Sequence, residues 1–147
     1  MLEQDIENGI KTPLATAVDG LLSAPVLIRT FWDEPVYAAG DEEIQGNNIT
    51  IHAMPSSRES GQLTQRIVQV IIECATYLMD DKDRRDLALL YGKVRYTLET
   101  TTYDFGETLT YTANSYEIGS VGESTIEEGW NLASLTIEFN VCAAAYE

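Results

Sequence analysis

Cations are scarce in this sequence. Nine Lys and Arg stand against 24 Asp and Glu, leaving a net charge of −15. A binder of DNA or RNA phosphate needs a surplus of cations, so that class is excluded. An anionic membrane surface is disfavoured on the same ground. Histidine occurs once, at His52, and cysteine twice, at Cys74 and Cys142, with no second cysteine near either. Zinc-type spacing is therefore absent. With one imidazole, no glycine-flanked serine elbow and no phosphate-binding glycine loop, the sequence offers little to nucleophilic catalysis. The longest uncharged stretch, Ile44 to Ser57, is largely polar and does not make a membrane span. The opening MLEQDIENGI places acids before any base and has no apolar segment, unlike a secretory signal.

Within those limits the chain has the means to build a core. Its 147 residues, 44% apolar and 22% charged, suit a single domain over 1–147 that buries roughly 68–70% of the unfolded surface. Apolar residues at helical intervals, Ile6, Ile10, Leu14, Val18, Leu21 and Leu22, predict a helix over 2–22. Pro13 should either start it or bend it. PVLIRTFW (25–32) and Asn48 to Met54 read as strands, separated by a loop rich in acids and glycine. Thr64 to Tyr77 reads as the central strand, with Arg66, Val68, Val70, Ile72 and Cys74 on the core face. Asp80, Asp81 and Asp83 open a second helix to about Leu98, whose buried stripe is Leu87, Leu90, Tyr91, Val94 and Leu98. Two further strands, 108–118 and 130–146, flank an acidic link at 119–129. The order predicts an α+β fold: a mainly antiparallel sheet with two main helices packed on one face.

Several side-chain groups have two readings. Cys74 and Cys142 lie in apolar β-like runs, as buried reduced thiols or as a disulfide between adjacent strands. Asp80, Asp81 and Asp83 suit either a helix N-terminus or a hard divalent cation, although the glycine and terminal glutamate of a calcium loop are missing. Glu73 and Glu138 fall on the more polar faces of their strands, which favours solvated positions over an acid–base pair. His52, beside a threonine, should point away from the core. On this reading the chain has no cofactor, no metal ligand and no catalytic residue.

The charges are segregated. Lys82, Arg84, Arg85, Lys93 and Arg95 are five of the nine cations, all assigned to the second helix, while Asp41, Glu42, Glu43, Glu127 and Glu128 lie in acid-rich connecting segments. A solvated helix face is one explanation. The other is self-complementarity, in which the basic helix of one copy meets the acidic segments of the next, a heterologous contact that closes into a ring where the rotation allows.

The order of elements resembles the tail-terminator and neck proteins of tailed bacteriophages. The opening helix carries the resemblance, together with PVLIRTFW and NNITIHAMP around their acidic loop, RIVQVIIECATY, the aspartate-led helix through LALLYGKVRYTL, and ASLTIEFNVCA. The resemblance covers nearly the whole chain and has no catalytic motif. It implies a structural virion protein, not an enzyme, assembled in the host cytoplasm as a ring of identical copies, a hexamer by analogy. Such a ring ends the tail tube and joins tail to head, with the tail-tube protein and the head connector or stopper protein as partners. DNA would pass through the lumen without specific binding, repelled by the acidic lining, and no membrane would be involved. Another tail-completion or connector ring is the alternative, with a small acidic enzyme or ligand-binding domain behind it.

Overall fold

The computed structural model describes residues 2–32, 46–55, 57–58, 65–103, 105, 110–121, 125–127 and 129–142. Two helices, α1 (Leu2–Val18) and α2 (Arg85–Thr100), accompany seven strands: β1 (Val26–Thr30), β2 (Asn47–Ala53), β3 (Ser57–Arg58), β4 (Gln65–Tyr77), β5 (Thr110–Val121), β6 (Thr125–Glu127) and β7 (Trp130–Cys142). The strands form one sheet in the order β1-β2-β4-β7-β5, with β3 added to β4 and β6 to β7. Only β1 and β2 run parallel; the other pairs are antiparallel. The fold is α+β, as the alternation of helical and β periodicities predicts.

One face of the sheet is the core. Ile49, Ile51 and Ala53 on β2 lie level with Cys74, Ile72 and Val70 on β4, and these in turn with Ala133, Leu135 and Ile137 on β7. All are buried in one cluster with Ile6, Ile10 and Leu14 of α1 and Leu87, Leu90, Val94 and Leu98 of α2. Both helices therefore cover the same face, α1 over β1 and β2, α2 over β4 and β7, and they touch each other. A two-residue period on three strands meets a period of three and four on two helices, and each element buries the stripe that its spacing supplies.

Helix α1 runs through Pro13, where the sequence predicts a start or a bend. A proline inside a helix costs about 3 kcal/mol. Ile6 and Ile10 before it and Leu14 after it are fully buried, each worth about 1.5–3 kcal/mol, so core packing outweighs the lost hydrogen bond. The helix ends at Val18 rather than at Leu22. Gly20 takes a left-handed φ of 70°, and Leu21 N donates to the Val18 carbonyl at 3.1 Å, a turn that leaves Leu21 and Leu22 at the margin of the core.

Glu7 is the unexpected member of the core. It is fully buried, yet its two oxygens accept backbone hydrogen bonds, Oε1 from Trp32 N at 2.9 Å and Oε2 from Ala53 N at 2.8 Å. Trp32 Nε1 donates to the Ala53 carbonyl at 2.8 Å. The chain leaving β1 and the end of β2 are thus held by one carboxylate of α1. Charge-assisted bonds of this kind offset the cost of burying the acid.

Three other boundaries differ from the sequence reading. β3 lies in the segment read as the 55–61 loop. The acidic link 119–129 contains the end of β5 and the short strand β6, whose Glu127 lies opposite Trp130. After α2, Tyr103 and Phe105 turn into the core, their rings parallel at 5.8 Å and both edge-on to Phe139, at 5.1 and 5.4 Å. The Tyr103 hydroxyl donates to the Leu98 carbonyl at 2.7 Å.

Phe139 is fully buried on β7 beneath those two rings. Phe139→Ala should cost about 3–5 kcal/mol, through lost transfer energy and the cavity left behind. Thermal melts check it, and a loss below ~1 kcal/mol would mean that the register of β7 is wrong.

Candidate assembly surface

The position of α2 is set by one aspartate. Asp81 is buried in the turn that leaves β4. Its Oδ2 accepts from Thr76 Oγ1 at 2.7 Å and from Leu87 N at 3.0 Å, while Oδ1 accepts from Asp86 N at 3.0 Å. Asn131 Nδ2, at the start of β7, donates to the Asp81 carbonyl at 2.8 Å and lies 3.2 Å from Thr76 Oγ1. Both carboxylate oxygens thus cap the first turn of α2. Of its neighbours, Asp83 accepts from Arg85 N at 3.2 Å and Asp80 is exposed. The aspartates therefore begin the helix from outside it, and α2 starts at Arg85 and not near Asp80.

That shift moves two of the five expected cations off the helix. Lys82 and Arg84 belong to the preceding turn, Arg84 with a left-handed φ of 58°, and both are exposed. Arg85, exposed, is the first helical residue. Lys93 lies half-buried with Nζ 5.8 Å from the centre of the Tyr96 ring, and exposed Arg95 binds Glu99 one turn on, Nε to Oε1 at 3.0 Å. The hydrogen bond and charge of Glu99 hold the Arg95 guanidinium above its ordinary pKa. The five cations thus share the turn before α2 and its outer surface. Of the acids expected to meet them, Asp41, Glu42, Glu43 and Glu128 lie outside the described residues, and Glu127 is placed by its backbone in β6.

The remaining candidates resolve against chemistry. Cys74 faces the core opposite Ala133, and Cys142 lies opposite Gln65, roughly nine residues or ~30 Å along the ladder. Both thiols are free, which removes the disulfide reading. Burial, with the Glu73 charge adding to it, pushes the Cys74 thiol up to about 12, so it is inert at neutral pH. Glu73 and Glu138 share the outer sheet face but pair with Ser134 and Gln69, about four residues or ~14 Å apart, too far for concerted acid–base work. His52 also lies on that face, stacked on Phe31 with ring centres 3.8 Å apart; burial lowers its pKa. Among the described residues no cluster of three or more His, Cys, Asp or Glu is arranged to hold a metal, and no helix is long and apolar enough to cross a membrane.

Sequence reasoning missed one feature of α2. Beyond the stripe turned to the core, its solvent side carries Ala88, Leu89, Gly92 and Tyr96, all exposed. The spacing of three and four that reveals the buried stripe also lines up these four on the opposite side. The signal was present and was passed over because charges interleave with it.

Asp81 gives a pH-dependent prediction. Burial raises its pKa, but the Thr76 hydroxyl and the α2 amides outweigh that and leave it below the ordinary carboxylate value of about 3.9. The group therefore adds stability in full above pH ~4 and loses it as the pH falls through the depressed folded value. Asp81→Ala should lower stability by about 1–3 kcal/mol at pH 7, with the gap to wild type narrowing toward pH 2. Urea midpoints measured across that range test both statements. Compared with known proteins, the chain matches no protein-family model and no curated sequence, so its function is read from its own residues.

Proposed function

We propose that this protein is a structural subunit of a tailed-bacteriophage virion, assembling with copies of itself into a ring at the neck that ends the tail tube and joins tail to head. The observation that carries the reading is the exposed surface of α2, basic and partly apolar, on a chain with a net charge of −15. All but two of its 24 acids fall outside 82–95, so any second copy offers this surface a complement. A contact between unlike surfaces propagates, and it closes into a ring when the rotation between neighbours fits. The resemblance supplies the expected hexamer and the place at the neck. Acidic walls around a lumen would repel passing DNA and limit sticking.

Association should depend on the cations before and on α2. Arg84 is best left alone, because its left-handed φ gives it a backbone role. Lys82→Glu with Arg85→Glu should weaken self-association, since like charges facing each other are costly at an interface. The fold should survive: both sites are exposed, and an acid in the first turn favours the helix dipole. Sedimentation velocity at low and high salt, with circular dichroism for the fold, measures it. A monomer under all conditions, with or without the adjoining tail or connector protein, would overturn the assembly reading.

A further inference from the structure

Two exposed apolar patches lie on opposite sides of the molecule. On the outer side of α2, Leu89 is 51% and Tyr96 61% exposed, with Gly92 between them. Gly92 has helical backbone and no atom within 4 Å of where a Cβ would be, so neither its conformation nor its packing calls for glycine. Glycine inside a helix is less favourable than alanine, and no described neighbour packs close enough to require it. Its absent side chain leaves a gap in the outer ridge of the helix, with Lys93 next in sequence and Arg95 one turn on.

The second patch is on the sheet face opposite the one that α1 and α2 cover. Ile71 stands near its middle, on the central strand β4, 37% exposed, between His52 on β2 and Thr136 on β7. Phe31, stacked on His52, extends the patch toward β1. Exposed Glu138 and half-buried Glu73 lie on this face, opposite Gln69 and Ser134, with Arg29 toward its β1 edge.

We propose that α2 of one copy packs on this sheet face of the next, Ile71 of the one filling the gap at Gly92 of the other. The partner is thus a second copy of this chain. The surfaces complement each other in shape, a projecting isoleucine against a glycine notch, and in charge, with arginine and lysine around the notch and glutamate beside the isoleucine. An apolar centre with a charged rim is the anatomy of a specific interface. The contact would place a helical layer on the side of the sheet away from α1 and α2. Because the two patches face opposite ways, each copy has one of each to offer, and the contact runs head to tail. The proposal rests on the ring reading above and assigns the two surfaces that meet in it.

Cross-linking of the full chain tests it. In a Cys142→Ser background, where Cys74 stays buried, Ile71→Cys and Gly92→Cys are made singly and together and oxidised with diamide. The double variant should give a ladder of covalent multimers, and a mixture of the two single variants should give dimers containing one of each. Ile71→Lys, tested by sedimentation velocity, should weaken association about tenfold or more without moving the melting temperature. Dimers from Gly92→Cys alone would show α2 pairing with itself and overturn the proposal. Association that persists without cross-links, or that Ile71→Lys leaves intact, would overturn it and leave the ring reading standing. A chain that never associates would overturn both.

Discussion

The carboxylate of Asp81 is the constraint on which the arrangement of the molecule depends. It joins four elements at one point: Thr76 at the end of β4, the turn that follows, the first amides of α2, and, through its own carbonyl, Asn131 at the start of β7. A helix that begins without partners for its first amides frays. Here those amides are held by a residue anchored to the two central strands, so α2 cannot rotate or slide without breaking bonds to the sheet. The fixed rotation turns Leu87, Leu90, Val94 and Leu98 to the core and leaves Leu89, Gly92 and Tyr96 outside. The outer surface is therefore as well defined as the inner one.

Glu7 plays a related part at the other end of the sheet. It ties α1 to the ends of β1 and β2, the one parallel pair among the described strands. Parallel strands cannot be joined by a tight hairpin, so this pair relies on contacts from elsewhere to keep its ends together. Glu7 within α1 and Asp81 just ahead of α2 each bind backbone amides and fix where a helix meets the sheet. In a chain so rich in acids, most must remain in solvent. These two are distinguished by the donors that surround them and not by anything in their immediate sequence.

That contrast explains what was legible beforehand. The strands and helices were visible because burial imposes a period: Ile49, Ile51 and Ala53 on β2, or Leu135, Ile137 and Phe139 on β7, show their alternation in sequence. The core faces of β4 and α2 were readable for the same reason. Glu7 was not, because it lies in the first helix among other acids and its partners, the Trp32 and Ala53 amides, are remote in sequence. The start of α2 was misplaced because three aspartates resemble a first turn, whereas Asp81 caps from four residues upstream. Tyr103 and Phe105 were overlooked because a two-residue aromatic insertion has no period. At the candidate assembly surface the cations were legible as a group, while the exposed Leu89, Gly92 and Tyr96 needed the observed rotation of α2 to stand out.

The pairing of β4 with β7 has a consequence for the order of events during synthesis. Tyr77 lies opposite Trp130 and Gln65 opposite Cys142, so the central ladder joins segments far apart in the chain. Contacts of such high sequence separation form slowly, since the intervening loop must close before they contribute. While a nascent chain still lacks β7 it lacks Asn131, the Phe139 platform for Tyr103 and Phe105, and one of the two strands that α2 packs against. The topology thereby acts as a checkpoint: the bonds from Asn131 and the packing beneath Tyr103 and Phe105 form only when the last strand has paired.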